Sequence, residues 1–433
     1  MAIEALLIIL IVMLFLLFIG VPISYAIGIS SLSAILMSVP LDVSVLTAAQ
    51  RTFVGMSKFS LTAIPFFVLA GNLMNQGGIA KRLVNFVTAI LGKLPGALLV
   101  TNVGTNALFG AISGSASAAA AAVGSMVREG EEEQGYDAAI SAATNAASAP
   151  SGLLIPPSNA LITFSLAAGG VSVSALFMAG YIPGILWAVC CMAVAVIIAI
   201  KKGYKGVPGK YDWMNLLKST LQALPSLSLI VVVIGGIVGG IFTATEGSAI
   251  AVVYALILGI CYKNITIKGL WNIIVDSAKM SGMIIFLIGV SNILGWVMAF
   301  TQIPEAVSTA LLGLTNNKYI ILLIMNLILL VAGTFMDVTP AILIFTPLFL
   351  PIVQTFGMSP IQFGLILVYN LCIGNITPPV GNTLFVGIKV GKTSLSKVMP
   401  YMLMYYAAIL IGLMLVTYIP DIVMFLPRLA GLA

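Results

Sequence analysis

The chain has 433 residues, 61% hydrophobic and only 7% charged, with a mean hydropathy of +1.17 and a formal charge of +6. A soluble domain carries roughly 25% charged residues, so this composition excludes one and implies an all-α polytopic membrane protein. A β-barrel would show short alternating segments instead of long apolar runs.

Histidine is absent, which rules out His proton relays, His-ligated metals and Ser-His triads. The four cysteines (Cys190, Cys191, Cys261 and Cys372) lie in apolar segments at no metal-binding spacing. No G-x-x-x-x-G-K-[ST] occurs, so the chain has no P-loop of its own. No cofactor, transition metal, ATPase or nucleic-acid partner is expected, and lone acids without His support no enzyme.

A spanning helix needs about 20 apolar residues. After Glu4 the chain runs apolar without the basic start of a signal peptide, so it opens on spanning helices at 3–20 and 22–38, followed by 60–76. An arm at 79–92 leads to a pair with a polar break, 96–112 and 116–127. The segment 138–168 is interrupted at 150–158, and 174–200 spans again. A Lys-rich joint at 201–221 separates this half, 1–200, from a second, 222–433. The second half repeats the order: spans at 222–241, 244–262 and 280–300, an arm at 303–315, a polar-broken pair at 319–335 and 338–354, a segment 361–388 interrupted at 374–382, and a last span at 398–419. Scaffold helices are assigned to 1–60 and 222–262.

The two halves align residue by residue. Ile64-Pro-Phe-Phe-Val-Leu-Ala-Gly-Asn matches Ile284-Ile-Phe-Leu-Ile-Gly-Val-Ser-Asn. Gly110 matches Gly333, and Pro156-Pro157 matches Pro378-Pro379. If each polar-broken pair is a re-entrant hairpin, each half has five crossings. That odd number inverts the second half relative to the first.

Lys and Arg collect in cytoplasmic loops. With the N-terminus outside, fifteen of the nineteen Lys and Arg, Lys210 among them, fall in the cytoplasm. Arg51, Lys58, Lys318 and Arg428 fall outside, and both termini are expected to be periplasmic. The 201–218 loop is then cytoplasmic, with anionic membrane lipid as a minor contact. The run Glu129, Glu131, Glu132 and Glu133 reads as a solvated cytoplasmic loop.

The chemistry is expected at the breaks. Proline removes a backbone donor and clashes with the preceding turn, and hydrocarbon cannot satisfy the freed groups. Paired Gly/Pro interruptions in two halves mark a transporter's binding site. The first hairpin tip, G-A-I-S-G-S-A-S-A from Gly110, presents hydroxyls beside a tight turn. Its glycines and alanines also form a small-residue packing stripe (Gly110, Gly114, Ala118, Ala122). A first cation site is expected from Ser113, Ser115, Gly152, Pro156 and Asn159.

The second tip, G-T-F-M-D-V-T-P-A from Gly333, holds Asp337, a carboxylate deep in an apolar stretch and so a functional candidate; capping the helix at Thr339-Pro340 is the alternative. A second cation site is expected from Gly333, Asp337, Gly374, Thr377, Pro378 and Asn382. Oxygen-only donors suit a hard cation. Ser117, Ser158, Asp337 and Thr339 are expected to bind substrate. All four arginines read as loop or helix-end residues, so an anionic substrate would rely on helix N-termini, hydroxyls and bound cations. Glu246, after T-A-T, reads as stabilising a helix N-terminus, with a proton or gating role as the alternative.

These motifs (G-A-I-S-G-S-A-S-A, I-P-P-S-N, G-T-F-M-D-V-T-P and N-I-T-P-P-V-G-N) resemble the large membrane subunit of tripartite ATP-independent periplasmic (TRAP) transporters over essentially the whole chain. The resemblance implies an elevator-type, sodium-coupled importer of organic acids in a bacterial inner membrane. It also implies a small four-helix membrane subunit and a periplasmic substrate-binding protein as partners. Overall similarity points to the sialic-acid members. A C4-dicarboxylate or keto acid as substrate, or a receptor-independent anion/sodium symporter, is the alternative.

Overall fold

Glycine and proline end most of the helices. The structure, a computed structural model, describes residues 2–206, 212–315 and 317–432. Residues 207–211 of the Lys-rich joint, including Lys210, lie outside the described residues.

The first half comprises α1 (Ala2–Phe18), α2 (Ile23–Ile35), α3 (Leu41–Met56), α4 (Ala63–Gln76), α5 (Ile79–Leu91), α6 (Ala97–Ser113), α7 (Ala116–Glu133), α8 (Ala138–Ser148), α9 (Ser151–Leu154), α10 (Asn159–Ala167) and α11 (Val173–Lys202). The second comprises α12 (Trp213–Val238), α13 (Ala244–Cys261), α14 (Ile267–Phe300), α15 (Ile303–Leu314), α16 (Lys318–Phe335), α17 (Val338–Thr355), α18 (Pro360–Gly374), α19 (Asn382–Val390), α20 (Leu395–Tyr418) and α21 (Pro420–Leu429). No strand occurs among the described residues. Among the described residues, seven helices (α11–α14, α16, α17 and α20) are long and apolar enough to cross a membrane, and α3 with α4 forms a pair bent by 59°.

The order of elements repeats: α6, α7, α8, α10 and α11 recur as α16, α17, α18, α19 and α20. The packing is reciprocal. α2 lies on α14 while α13 lies on α4; α1 meets α15 while α12 meets α5. α8 packs on α20 while α18 packs on α11, and α10 packs on α17 while α19 packs on α7. These contacts of one half with the other are thus mirrored, as two-fold pseudosymmetry requires. α8 and α18 form the centre, with almost every residue buried. The Trp187 indole donates to the Ala147 carbonyl at 2.9 Å, and the hydroxyls of Thr144 and Tyr405 lie 2.6 Å apart.

Five elements differ from the sequence reading. α3 falls inside the scaffold range 1–60 but has no helix of its own in the expected order, because Asp42, Gln50 and Arg51 make it too polar for a span. Its counterpart is the start of α14, which begins at Ile267 rather than 280. α3 packs on α14, where the Arg51 guanidinium sits 5.6 Å from the Trp296 ring centre. α12 begins at Trp213, inside the expected joint, because Asp212 caps it by accepting from the amides of Met214 and Asn215. α21 was unforeseen and packs on α11. Finally, α7 continues to Glu133, so the glutamate run is helical. Glu131 is only 3% exposed and turned inward, not solvated. Arg51 and Arg128 likewise sit within helices rather than in loops.

Candidate functional site

Each hairpin tip is built against the break of its own half. α6 ends on Gly114, whose φ of +63° is easy only for glycine. The chain turns there and Ser115 caps α7, accepting from the Ala118 amide at 3.3 Å. The Ser113 hydroxyl points back at the carbonyls of Gly110 (3.5 Å) and Ser115 (3.4 Å). In the facing break, Ile155 is extended, the Pro156-Pro157 bond is cis, and Ser158 caps α10. A β-carbon on Gly114 would lie 3.2 Å from the Asn159 amide nitrogen, so tip and break are in contact.

One turn back, Gly110 crosses Gly152. A β-carbon on Gly152 would lie 2.2 Å from the Gly110 Cα. This crossing supports the close-packing role of the small-residue stripe.

The second half repeats the arrangement. Gly374 crosses Gly333, where an added β-carbon would lie 2.4 Å from the Gly333 carbonyl carbon. The Val380 amide donates to the Thr334 carbonyl at 3.2 Å and so ties tip to break. Thr377 Oγ1 donates to the Ile373 carbonyl at 2.7 Å, and the Tyr406 hydroxyl donates to the Ile376 carbonyl at 2.5 Å. The Pro378-Pro379 bond is also cis.

The two tips and two breaks enclose one cavity of about 110 Å³. Its wall is made of helix beginnings: Ser115, Ala116 and Ser117 of α7, Asn159 and Ala160 of α10, Asp337, Val338 and Thr339 of α17, and Asn382 of α19. Met280 and Ile284 of α14 close one side. No Lys or Arg lines the cavity, and Asp337 is its only ionisable side chain. Each helix N-terminus carries roughly half a positive charge. Four of them therefore converge on one small space, which favours an anion.

Asp337 is exposed and holds the N-cap position of α17 without a capping hydrogen bond. Its carboxylate belongs to the cavity rather than to an apolar interior. Ser117, Asp337 and Thr339 all line the cavity. Ser158 does not: it is fully buried and donates to the Leu153 carbonyl while capping α10. Among the expected cation residues, Ser115, Asn159, Asp337 and Asn382 reach the cavity. Gly152, Gly333 and Gly374 form the helix crossings, while Ser113, Pro156, Thr377 and Pro378 lie in the tips and breaks.

Asn375 was missed, although it opens the N-I-T-P-P motif. It lines the cavity, and its Oδ1 is buried with no hydrogen-bond partner; Thr383 Oγ1 is in the same condition. Two orphaned oxygens beside tip 2 suit a hard cation. Glu246 is settled separately. It forms a capping box with Thr243, accepting from that residue's amide (2.7 Å) and hydroxyl (2.9 Å).

Residues 10–422 match the family model described as "Tripartite ATP-independent periplasmic transporter, DctM component". The uncharacterized protein YgiK of Salmonella typhimurium is 49% identical, covering 95% of this chain and 94% of its own length. The isethionate TRAP transporter permease protein DctMQ of Oleidesulfovibrio alaskensis is 38% identical over 94% of this chain and 64% of its own. The sialic acid TRAP transporter large permease protein SiaM of Vibrio cholerae is 33% identical over 96% of both. In fold, the chain is similar to the crystal structure of the Alcanivorax borkumensis YdaH transporter, with a TM-score of 0.60 and 16% identity over 88% of this chain and 89% of that one. With the reciprocal hairpins and breaks, these matches place the chain in the DctM family: it is the large permease component of a TRAP transporter.

Proposed function

We propose that the chain is a sodium-coupled importer of a small organic anion, delivered by a periplasmic binding protein, in a bacterial inner membrane. The observation that carries this reading is the convergence of four helix N-termini on one cavity that has no basic side chain. An anion can be held there by backbone dipoles, and cations seated at the two tips offset its charge. Site 1 uses Ser113, Ser115 and Asn159 beside the Gly110–Gly152 crossing. Site 2 uses Asp337, Thr377 and Asn382, to which Asn375 and Thr383 are added. Two sodium ions entering with one monovalent anion carry one net charge, worth about 2.3 kcal/mol per 100 mV of membrane potential.

The family membership supports a small four-helix membrane subunit and a soluble receptor as partners. The charge distribution supports both termini in the periplasm. Sialic acid, isethionate and C4-dicarboxylates are the anions to compare, because relatives named for different anions resemble this chain to similar degrees.

The test is uptake into proteoliposomes holding the chain and its small subunit, with receptor outside and an imposed sodium gradient. N-acetylneuraminate, isethionate and succinate serve as probes. Sodium-dependent accumulation of one of them is expected. Sodium-independent uptake, or full-rate uptake without a receptor, would overturn the coupling or the receptor requirement respectively.

A further inference from the structure

We propose that the groove between the second half of α7 and α19 is an anion-release vestibule. In it, Lys389 and Lys392 attract the transported anion once it leaves the cavity between the tips. The proposal rests on the anion-transport reading above and assigns the next station on the path.

The groove is a second cavity, of about 640 Å³. Small-molecule sites occupy roughly 300–1,000 Å³, so this space admits an organic anion, whereas 110 Å³ between the tips is a tight fit. The same two helices line both spaces. On α7, Ser117 faces the first cavity, and Ala121 and Ser125 face the second. These residues are spaced four apart and so share one helix face. On α19, Asn382 faces the first cavity while Val386 and Lys389 face the second. From Ser117 to Ser125 the path is about 12 Å at 1.5 Å per residue. α7 and α19 come from opposite halves and pack directly together.

Charge is distributed unevenly in the groove. Arg128 is engaged twice, in an ion pair with Glu132 and by donating to the Val390 carbonyl at 3.0 Å. Lys389 and Lys392 line the groove and form no ion pair with a described residue. Glu129 is the one acid left to oppose them. Both lysines line this one groove, and a charge there is felt over about 8 Å, one Debye length at physiological salt. Their field therefore persists across the groove and draws an anion.

The test reads the local potential directly and needs no turnover. In the full chain with its four native cysteines replaced by serine, Ser125→Cys is reacted with 2-sulfonatoethyl methanethiosulfonate (anionic) and with its trimethylammonio analogue (cationic). The anionic-to-cationic rate ratio should fall about three-fold when Lys389→Gln and Lys392→Gln are introduced together. It should fall less in high salt and recover with Lys→Arg at both positions. In a parallel assay, the internal anion concentration that half-inhibits receptor-driven uptake should rise in the double Gln variant. A rate ratio unmoved by the double variant overturns the proposal, as does modification of Ser125→Cys only from the periplasmic face. Failure of uptake in the unmodified protein would instead count against the transport reading and leave the thiol result standing.

Discussion

Gly374→Ala tests whether the glycine crossings set the site, and Gly333→Ala is its control. Carbon atoms in contact settle at roughly 3.5–4.0 Å. A β-carbon on Gly374 would meet the Gly333 carbonyl carbon at 2.4 Å, its oxygen at 2.5 Å and its Cα at 2.6 Å. All three are backbone atoms and cannot rotate aside, so α16 and α18 must separate by about 1 Å. Overpacking of this kind costs about 1–3 kcal/mol. It also pulls on the Val380–Thr334 backbone hydrogen bond that ties tip 2 to its break. From the other side, a β-carbon on Gly333 meets the Gly374 Cα at 3.3 Å and Leu371 Cδ2 at 3.4 Å, which a few tenths of an ångström relieve. Sodium-driven uptake and thermal unfolding in detergent are the assays. Gly374→Ala should lose most uptake, raise the sodium concentration for half-maximal rate and lower Tm by several degrees. Gly333→Ala should stay within about two-fold of the parent. Equal behaviour of the two variants, or an unchanged sodium dependence in Gly374→Ala, would refute the reasoning.

Burial pushes the Glu131 carboxyl from 4.5 up to about 7. The native state therefore binds the extra proton, and stability falls as pH rises from about 4.5 to about 7, after which the loss is constant. Glu131→Gln should flatten that slope and raise Tm above pH 7, a gain on the order of 3 kcal/mol; identical pH profiles in differential scanning would refute this. Ser113→Ala or Thr377→Ala should raise the sodium needed for half-maximal uptake while leaving receptor affinity untouched, measured by sodium titration and receptor binding. Cysteines at Lys205 and Arg428 should label from opposite faces of the membrane, and labelling from one face would end the inverted-repeat topology.

Much of the site was legible because breaks in apolar segments have few physical explanations. Pro156-Pro157 and Pro378-Pro379 sit in spans that hydrocarbon would otherwise keep helical, so they could be read as built features. Ser115, Ser117, Asp337 and Asn382 followed from their place beside those breaks. Ser158 was misplaced because a serine ahead of a helix serves equally as a cap or a ligand, and sequence does not say which way the hydroxyl turns. Glu131 was misread for a similar reason. Among four glutamates, only the turn of α7 decides which one faces α8 and which face water. α3 was missed because a helix with Asp42 and Arg51 does not resemble a span, yet it packs on α14 around Gly289, Asn292 and Trp296. Met280 and Ile284 carry no polar signal at all, and only packing brings them to the cavity.

The exchange of half-helices says which parts must move together. α10 leaves the first break and packs on α17, while α19 leaves the second and packs on α7. Neither half can build the cavity alone, so an elevator must carry both tips and both breaks as one body. α4 stands apart from that body. It packs on α13 and α14, and its Gly71 lies against tip 1, where an added β-carbon would be 2.7 Å from the Ser113 carbonyl oxygen. Two tethers separate these roles. Joining Ala146→Cys of α8 to Gly387→Cys of α19 links neighbours inside the carried body, since the Gly387 β-position lies 2.9 Å from the Ala146 Cβ. Joining Met74→Cys of α4 to Ile112→Cys of α6, which line one small apolar cavity, links the body to its support. With the native cysteines removed, the first tether should leave sodium-driven uptake within about two-fold of the reduced protein, and the second should stop it until a reductant is added. Uptake that survives the second tether would show that the tips work without moving past α4.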